Sequence, residues 1–105
     1  IDCIPLHLDT LPGKPAPADL EAVLSARYAG SEYVHVVKAD AKLEPQALNN
    51  TNVLELRVHG NAARGQAILT ARYDNLGKGA SGAAVQNIGL MLGVAVETRL
   101  PQAAE

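Results

Sequence analysis

The sequence predicts an α+β fold: a mixed or antiparallel sheet with two helices on one of its faces. Three observations predict it. Period-two alternation marks strands and helical spacing marks two further stretches. Their order, strand, helix, strand, strand, strand, helix, groups strands in a run instead of alternating them strictly with helices. The length of 105 residues at 48% hydrophobic suffices for one core but not two. Residues 1–105 are therefore expected to form a single α+β domain.

Ile1 to Leu8 places Ile4, Leu6 and Leu8 on one face and Cys3, Pro5 and His7 on the other. Pro5 makes this an edge or irregular strand, because proline cannot donate to a ladder. Leu11 to Pro17 is a turn-rich connection, and Pro17 suits the first turn of a helix. Leu20, Val23, Leu24, Arg27 and Tyr28 follow at helical spacing, and Gly30 supplies the stop. Tyr33 to Lys38 reads as a valine-rich strand, and Ala39 to Asn52 as a polar loop with a helical turn around Gln46 to Leu48. In Val53 to His59, Leu54, Leu56 and Val58 alternate with Glu55, Arg57 and His59, which predicts one buried and one wet face. Gly60 to Gly65 is a hairpin loop and Gln66 to Tyr73 the returning strand. Glu55, Arg57, Gln66, Thr70 and Arg72 share the polar sheet face, which is either solvated or covered by a partner. Asp74-Asn75 ends the strand, and a glycine string leads into a helix with Ala84, Ile88 and Met91 on one stripe.

Composition narrows the function classes. The chain has no Trp or Phe and three Tyr, so base-stacking platforms are scarce. A net charge of −2 without a basic block argues against a nucleic-acid partner. Cys3 is the only cysteine, which rules out an internal disulfide and fits a reducing cytoplasm. No apolar run approaches the roughly 20 residues of a membrane helix. The first residue is Ile1, not methionine, and it lies within a strand pattern, as expected of a piece of a longer polypeptide.

His7, His35 and His59 fall on separate strands without metal-ligand spacing, so no metal site is expected. Cys3 lies in a strand, away from any helix N-terminus that would lower its pKa, and reads as a buried structural thiol. Asp9, Glu55, Asp74 and Glu97 show no close pairing on one element, and no acid and base couple is marked. The string Gly77-Lys78-Gly79-Ala80-Ser81-Gly82 has the GxGxxG form of a dinucleotide fingerprint. The following residues supply a helix and a tail but no second parallel strand, so no complete cofactor domain follows. Each glycine costs roughly 0.5 to 1 kcal/mol relative to alanine in a helix, so three imply close approach by another backbone, a cofactor or a phosphate. The helix N-terminus is expected to turn free amides toward an anion or a cofactor edge. Gln86 and Asn87 project amides one to two turns further along.

The run Asp74 to Asn87, DNLGKGASGAAVQN, closing in Leu90-Met91-Leu92-Gly93, resembles the C-terminal signature of the N-acetyl-gamma-glutamyl-phosphate reductases. Ile4 to Pro15, Tyr28-Ala29-Gly30 and Ala47 to Asn52 are similar to the shorter subclass of that family. The resemblance implies the C-terminal third of an enzyme whose Rossmann domain binds NADP. In that family a loop cysteine forms a thioester with N-acetylglutamyl phosphate, and hydride transfer yields N-acetylglutamate semialdehyde and phosphate in arginine biosynthesis. It implies a domain like the C-terminal one of glyceraldehyde-3-phosphate dehydrogenase, present here in part, whose sheet commonly forms the subunit interface of a homo-oligomer. It also implies that Asn75, Lys78, Gly79, Gln86 and Asn87 lie closest to the nicotinamide end or the acyl phosphate. Cys3 does not match the family nucleophile, and the chain alone is expected to be inactive. The alternative is a non-enzymatic interaction domain whose polar sheet face pairs with itself or a partner.

Overall fold

The computed structural model describes residues 1–96. Strand β1 (Asp2–His7) is followed by helix α1 (Pro17–Arg27), strand β2 (Val34–Val36), the β3 (Leu54–Asn61) and β4 (Gln66–Tyr73) hairpin, and helix α2 (Gly82–Leu92). The sheet order is β1-β4-β3-β2, with β2 parallel to β3 and the other pairs antiparallel, so of the two expected forms, mixed or antiparallel, the sheet is mixed.

Register explains the core. Leu6 pairs with Ala67, and Ile4 and Val58 both face Leu69, so one sheet face is aliphatic. Leu8, Val58 and Ala67 are buried there, and Leu20 and Leu24 of α1 pack onto them. Burying a leucine or valine in such a core stabilises by about 1.5 to 3 kcal/mol. Pro17 opens α1 where its missing N–H would be unpaired anyway, and the Asp19 carboxylate accepts a hydrogen bond from Ala16 N–H at 2.7 Å. A Cβ on Gly60 would run into the Pro17 ring, so glycine lets the first turn of α1 lie against β3. Gly30, at φ +75°, sits where the chain leaves the helical region.

β1 is an edge strand. Leu8 N–H donates to Gly65 O at 2.7 Å, so every second residue back from it, Leu6 and Ile4, turns its amide toward β4. The amide position of Pro5 then faces the free edge, and the ladder loses nothing. The Cys3 thiol is exposed, which overturns its reading as a buried group. It lies on the face opposite α1, near the open edge, where nothing among the described residues covers it.

That opposite face differs from expectation at its other end. The connection from β2 to β3 crosses it, and the Glu44 carbonyl accepts from Arg72 Nη1 at 2.9 Å. Arg57, Thr70 and Arg72 are consequently buried, while Leu54 and Leu56 on the supposedly buried face of β3 are only half-buried. The expected turn at Gln46 to Leu48 is present as successive backbone bonds, including Asn49 N–H to Gln46 O at 3.0 Å. α1 packs on the sheet, whereas α2 touches chiefly the turn that launches it. Its predicted stripe points outward: Ala84, Ile88 and Met91 are exposed, and the inward positions are Gly82 and Gly89. Glu97 lies outside the described residues.

Candidate functional site

The segment from Asp74 to Asn87 is organised by Asp74. Its Oδ1 accepts from Leu76 N–H at 3.0 Å and its Oδ2 from Asn50 N–H at 2.7 Å. These backbone bonds, that of Leu76 foremost, hold the carboxyl below its ordinary range. A π turn over Gly77–Ser81 then carries the chain into α2, with Gly79 N–H to Asp74 O and Ser81 N–H to Leu76 O both at 3.0 Å. Single π turns are rare and are frequent at functional sites. The amides expected to face an anion are thus partly spent inside the chain, beside a carboxylate that favours its ionised form. A phosphate would meet a like charge there, so this helix start is unlike a phosphate-binding loop.

The glycines are accounted for by close approach of backbone and side chains. A Cβ on Gly77 would strike the Thr51 carbonyl oxygen. One on Gly82 would lie 2.6 Å from Asn52 Oδ1 and 2.8 Å from the Gly77 carbonyl oxygen. Gly79 is looser, with the Tyr73 ring 3.1 Å from the corresponding position. The segment Thr51-Asn52, just before β3, therefore lies directly against the start of α2.

On this scaffold Lys78 and Gln86 meet. Lys78 Nζ donates to Gln86 Oε1 at 2.9 Å and stands 5.6 Å from the centroid of the Tyr33 ring, a cation–π distance. Asn52 Nδ2 donates to the same Gln86 oxygen at 3.2 Å. Lysine can only donate, so the Gln86 atom it meets is the carbonyl oxygen and the amide nitrogen points away. Asn75, Gly79 and Asn87 are exposed on the same segment and do not enter this network. Sequence reasoning missed Asn52 and Tyr33. Asn52 is 4% exposed, yet nothing in the Asn49-Asn50-Thr51-Asn52 run distinguishes it from the exposed Asn49 and Asn50.

A second polar cluster lies under the crossover. Glu55 Oε2 is 2.9 Å from Arg57 Nη1, accepts from Arg72 Nε at 3.0 Å, and also accepts from Arg72 Nη2. Burial pushes the Glu55 carboxyl up, but the close contacts and positive charge of Arg72 and Arg57 outweigh it and hold the group below its usual range. Arg57 Nε and Nη1 are buried without a well-aligned hydrogen bond among the described residues, so the contact of Nη1 with Glu55 is an ion pair by distance only. His59 Nε2 is 3.3 Å from Thr70 Oγ1, and His35 Nε2 is 3.1 Å from Glu32 O. Among the described residues no three His, Cys, Asp or Glu side chains converge as metal ligands. No helix there is long and apolar enough to cross a membrane.

Comparison with known proteins agrees with the fold. The chain is 50% identical over 95 residues to N-acetyl-gamma-glutamyl-phosphate reductase 2 of Pseudomonas putida, which covers 86% of the chain and 30% of that protein. It is 54% identical over 95 residues to N-acetyl-gamma-glutamyl-phosphate reductase of Burkholderia cenocepacia strain J2315, with the same two coverages. The reductase 2 of Nostoc sp. is 40% identical over 105 residues, covering 92% of the chain and 33% of that protein. The chain thus spans about a third of the length of the curated relatives it matches. The sequence profile described as "Semialdehyde dehydrogenase, dimerisation domain" matches residues 4–75, more than half of the chain, and includes α1 and all of the sheet but the first two residues of β1. The chain belongs to the semialdehyde dehydrogenase dimerisation-domain family.

Proposed function

We propose that residues 1–105 form one α+β domain, the C-terminal portion of an N-acetyl-gamma-glutamyl-phosphate reductase. The whole enzyme would reduce N-acetylglutamyl phosphate to N-acetylglutamate semialdehyde with NADPH, in the cytoplasm, as a step of arginine biosynthesis. The observation that carries this reading is identity of about one half to named reductases across 86% of the chain. This portion supplies subunit contacts through its sheet and part of the wall around cofactor and substrate.

The residues fit the nicotinamide end of the cofactor better than its phosphates. Asn75 and Asn87 expose amides that both donate and accept, as a carboxamide partner requires, and Gln86 turns its NH2 outward. Lys78 adds a positive charge, and Gly79 keeps the surface open. When bound, the nicotinamide supplies the hydride. The role of this segment is to orient the ring and exclude water, leaving the covalent chemistry to residues elsewhere in the longer polypeptide.

The test is phosphate-dependent reduction of NADP by N-acetylglutamate semialdehyde, with the 105-residue chain and the complete reading frame assayed side by side. Activity is expected only in the longer protein. Activity in neither would favour a non-enzymatic interaction domain, and activity in the short chain would overturn the division of labour proposed here.

A further inference from the structure

We infer that Asn52 is a positioning residue that locks the Gln86 amide, carbonyl toward Lys78 and NH2 outward, and so sets the donor pattern offered to the cofactor. The inference rests on the cofactor-wall reading above and names a residue that lies against the glycine motif although it is 34 positions away from Gln86 in sequence. Three observations carry it. Gln86 Oε1 accepts from Asn52 Nδ2 at 3.2 Å and from Lys78 Nζ at 2.9 Å, so both of its acceptor positions are taken by donors of the protein. Asn52 is 4% exposed and its Oδ1 is buried without a hydrogen-bond partner among the described residues. Gly82 leaves the room in which that side chain lies.

A buried amide kept half-unpaired is a poor choice for stability alone, because a small apolar residue would leave no orphan. Its value lies in the half that is paired. Lys78 can only donate and so already selects the Gln86 carbonyl, but it does so from a long side chain with several rotatable bonds. The Asn52 amide, on a buried residue, adds a second, short-stemmed donor that holds the same orientation. With the lock in place, Gln86 and Lys78 offer N–H groups to the ligand; with it reversed, Gln86 would present an acceptor instead. Tyr33 limits Lys78 from its other side by the cation–π contact.

The experiment uses the full-length protein, with NADPH binding followed by fluorescence titration and the Gln86 side-chain NH2 resonances assigned through Gln86→Glu. Asn52→Asp replaces the donor with acceptors and draws the Gln86 NH2 inward. It is expected to raise the NADPH dissociation constant about tenfold, with kcat changed no more than about threefold, the pattern of lost uniform binding. Asn52→Ser, which is too short to reach Gln86, is expected to weaken binding less and to broaden the Gln86 NH2 signals. In the unaltered protein those signals are expected to shift on NADPH addition, a readout that requires no variant to fold. Unchanged NADPH affinity in both Asn52 variants, while Lys78→Met and Gln86→Glu weaken it, would overturn the positioning role and leave the cofactor wall standing. Unshifted Gln86 signals together with unchanged affinity in all four variants would remove both.

Discussion

At the scale of single residues, the most consequential group outside the candidate site is Glu55, which holds two buried arginines. Arg57 and Arg72 are each about nine-tenths buried, and only one carboxylate stands between them among the described ion pairs. Removing it leaves two cations in a poorly hydrated place, which costs far more than a surface pair returns. Glu55→Gln is expected to destabilise the protein by about 3 kcal/mol at pH 7, read from urea unfolding. The pH dependence follows from the direction of the shift. The folded carboxyl titrates below its ordinary value of 4.5, so its stabilisation is complete above that pH and is lost as pH falls through the folded value. Unfolding curves from pH 7 downward are expected to show wild type losing stability below about pH 4.5, with the Gln variant flatter over the same interval. Parallel wild-type and variant curves would remove Glu55 from that account. The alternation of β3 and β4 correctly placed Glu55, Arg57 and Arg72 on one face. It gave no sign that the face was buried, because the cover is a loop about ten residues upstream in sequence.

At the scale of elements, the glycine motif separates into positions with different reasons. Gly77 and Gly82 face backbone or buried side-chain atoms that have no room to retreat, whereas Gly79 faces the edge of a tyrosine ring. Gly77→Ala is expected to destabilise by about 2 to 3 kcal/mol, as overpacking does, and Gly79→Ala by less than about 1 kcal/mol. Thermal midpoints of the two variants give the comparison, and equal losses would contradict it. The strands and α1 were legible because period-two alternation, Pro17 and Gly30 are local signals read by local forces. The facing of α2 was not legible. Its sequence GAAVQNIGLML is apolar nearly all round, so a hydrophobic stripe can be drawn on several sides, and the inward side turned out to be the one bearing Gly82 and Gly89. Which side faces in was decided by the Asn52 side chain and the Gly77 carbonyl against Gly82 and by Val94 and Val96 against Gly89, and glycine there allows a close approach that no larger residue would.

At the scale of the whole molecule, the described structure is a thin plate of 49 × 34 × 18 Å with a radius of gyration of 16.1 Å. A compact domain of this length has about 13 Å. The excess reflects two layers with apolar surface left open: Ile68 is 43% exposed on the face opposite α1, and Met91 is 84% exposed on α2. Exposed apolar surface of this kind marks contact with other protein. Under the proposed subunit role, Ile68→Glu in the full-length protein is expected to raise the dimer dissociation constant at least about tenfold, seen by sedimentation velocity on dilution. An unchanged sedimentation profile would place the subunit contact elsewhere. Pro5 and His59 flank Ile68 in register, so the expected contact lies on the open half of the sheet, beyond the crossover.

By itself the sequence determined the order and kind of the elements, the α+β class with a mixed or antiparallel sheet, and the family. Each of these depends on neighbours a few residues apart or on a long contiguous resemblance. Only the tertiary structure decided that Cys3 is exposed, that the charged sheet face is half covered, that the glycines serve close contact with Thr51 and Asn52, and that Lys78, Gln86, Asn52 and Tyr33 meet. Those outcomes join residues from 8 to 45 positions apart. Periodicity reports which way a side chain points along its own element, and it carries no information about which distant segment comes to lie against it.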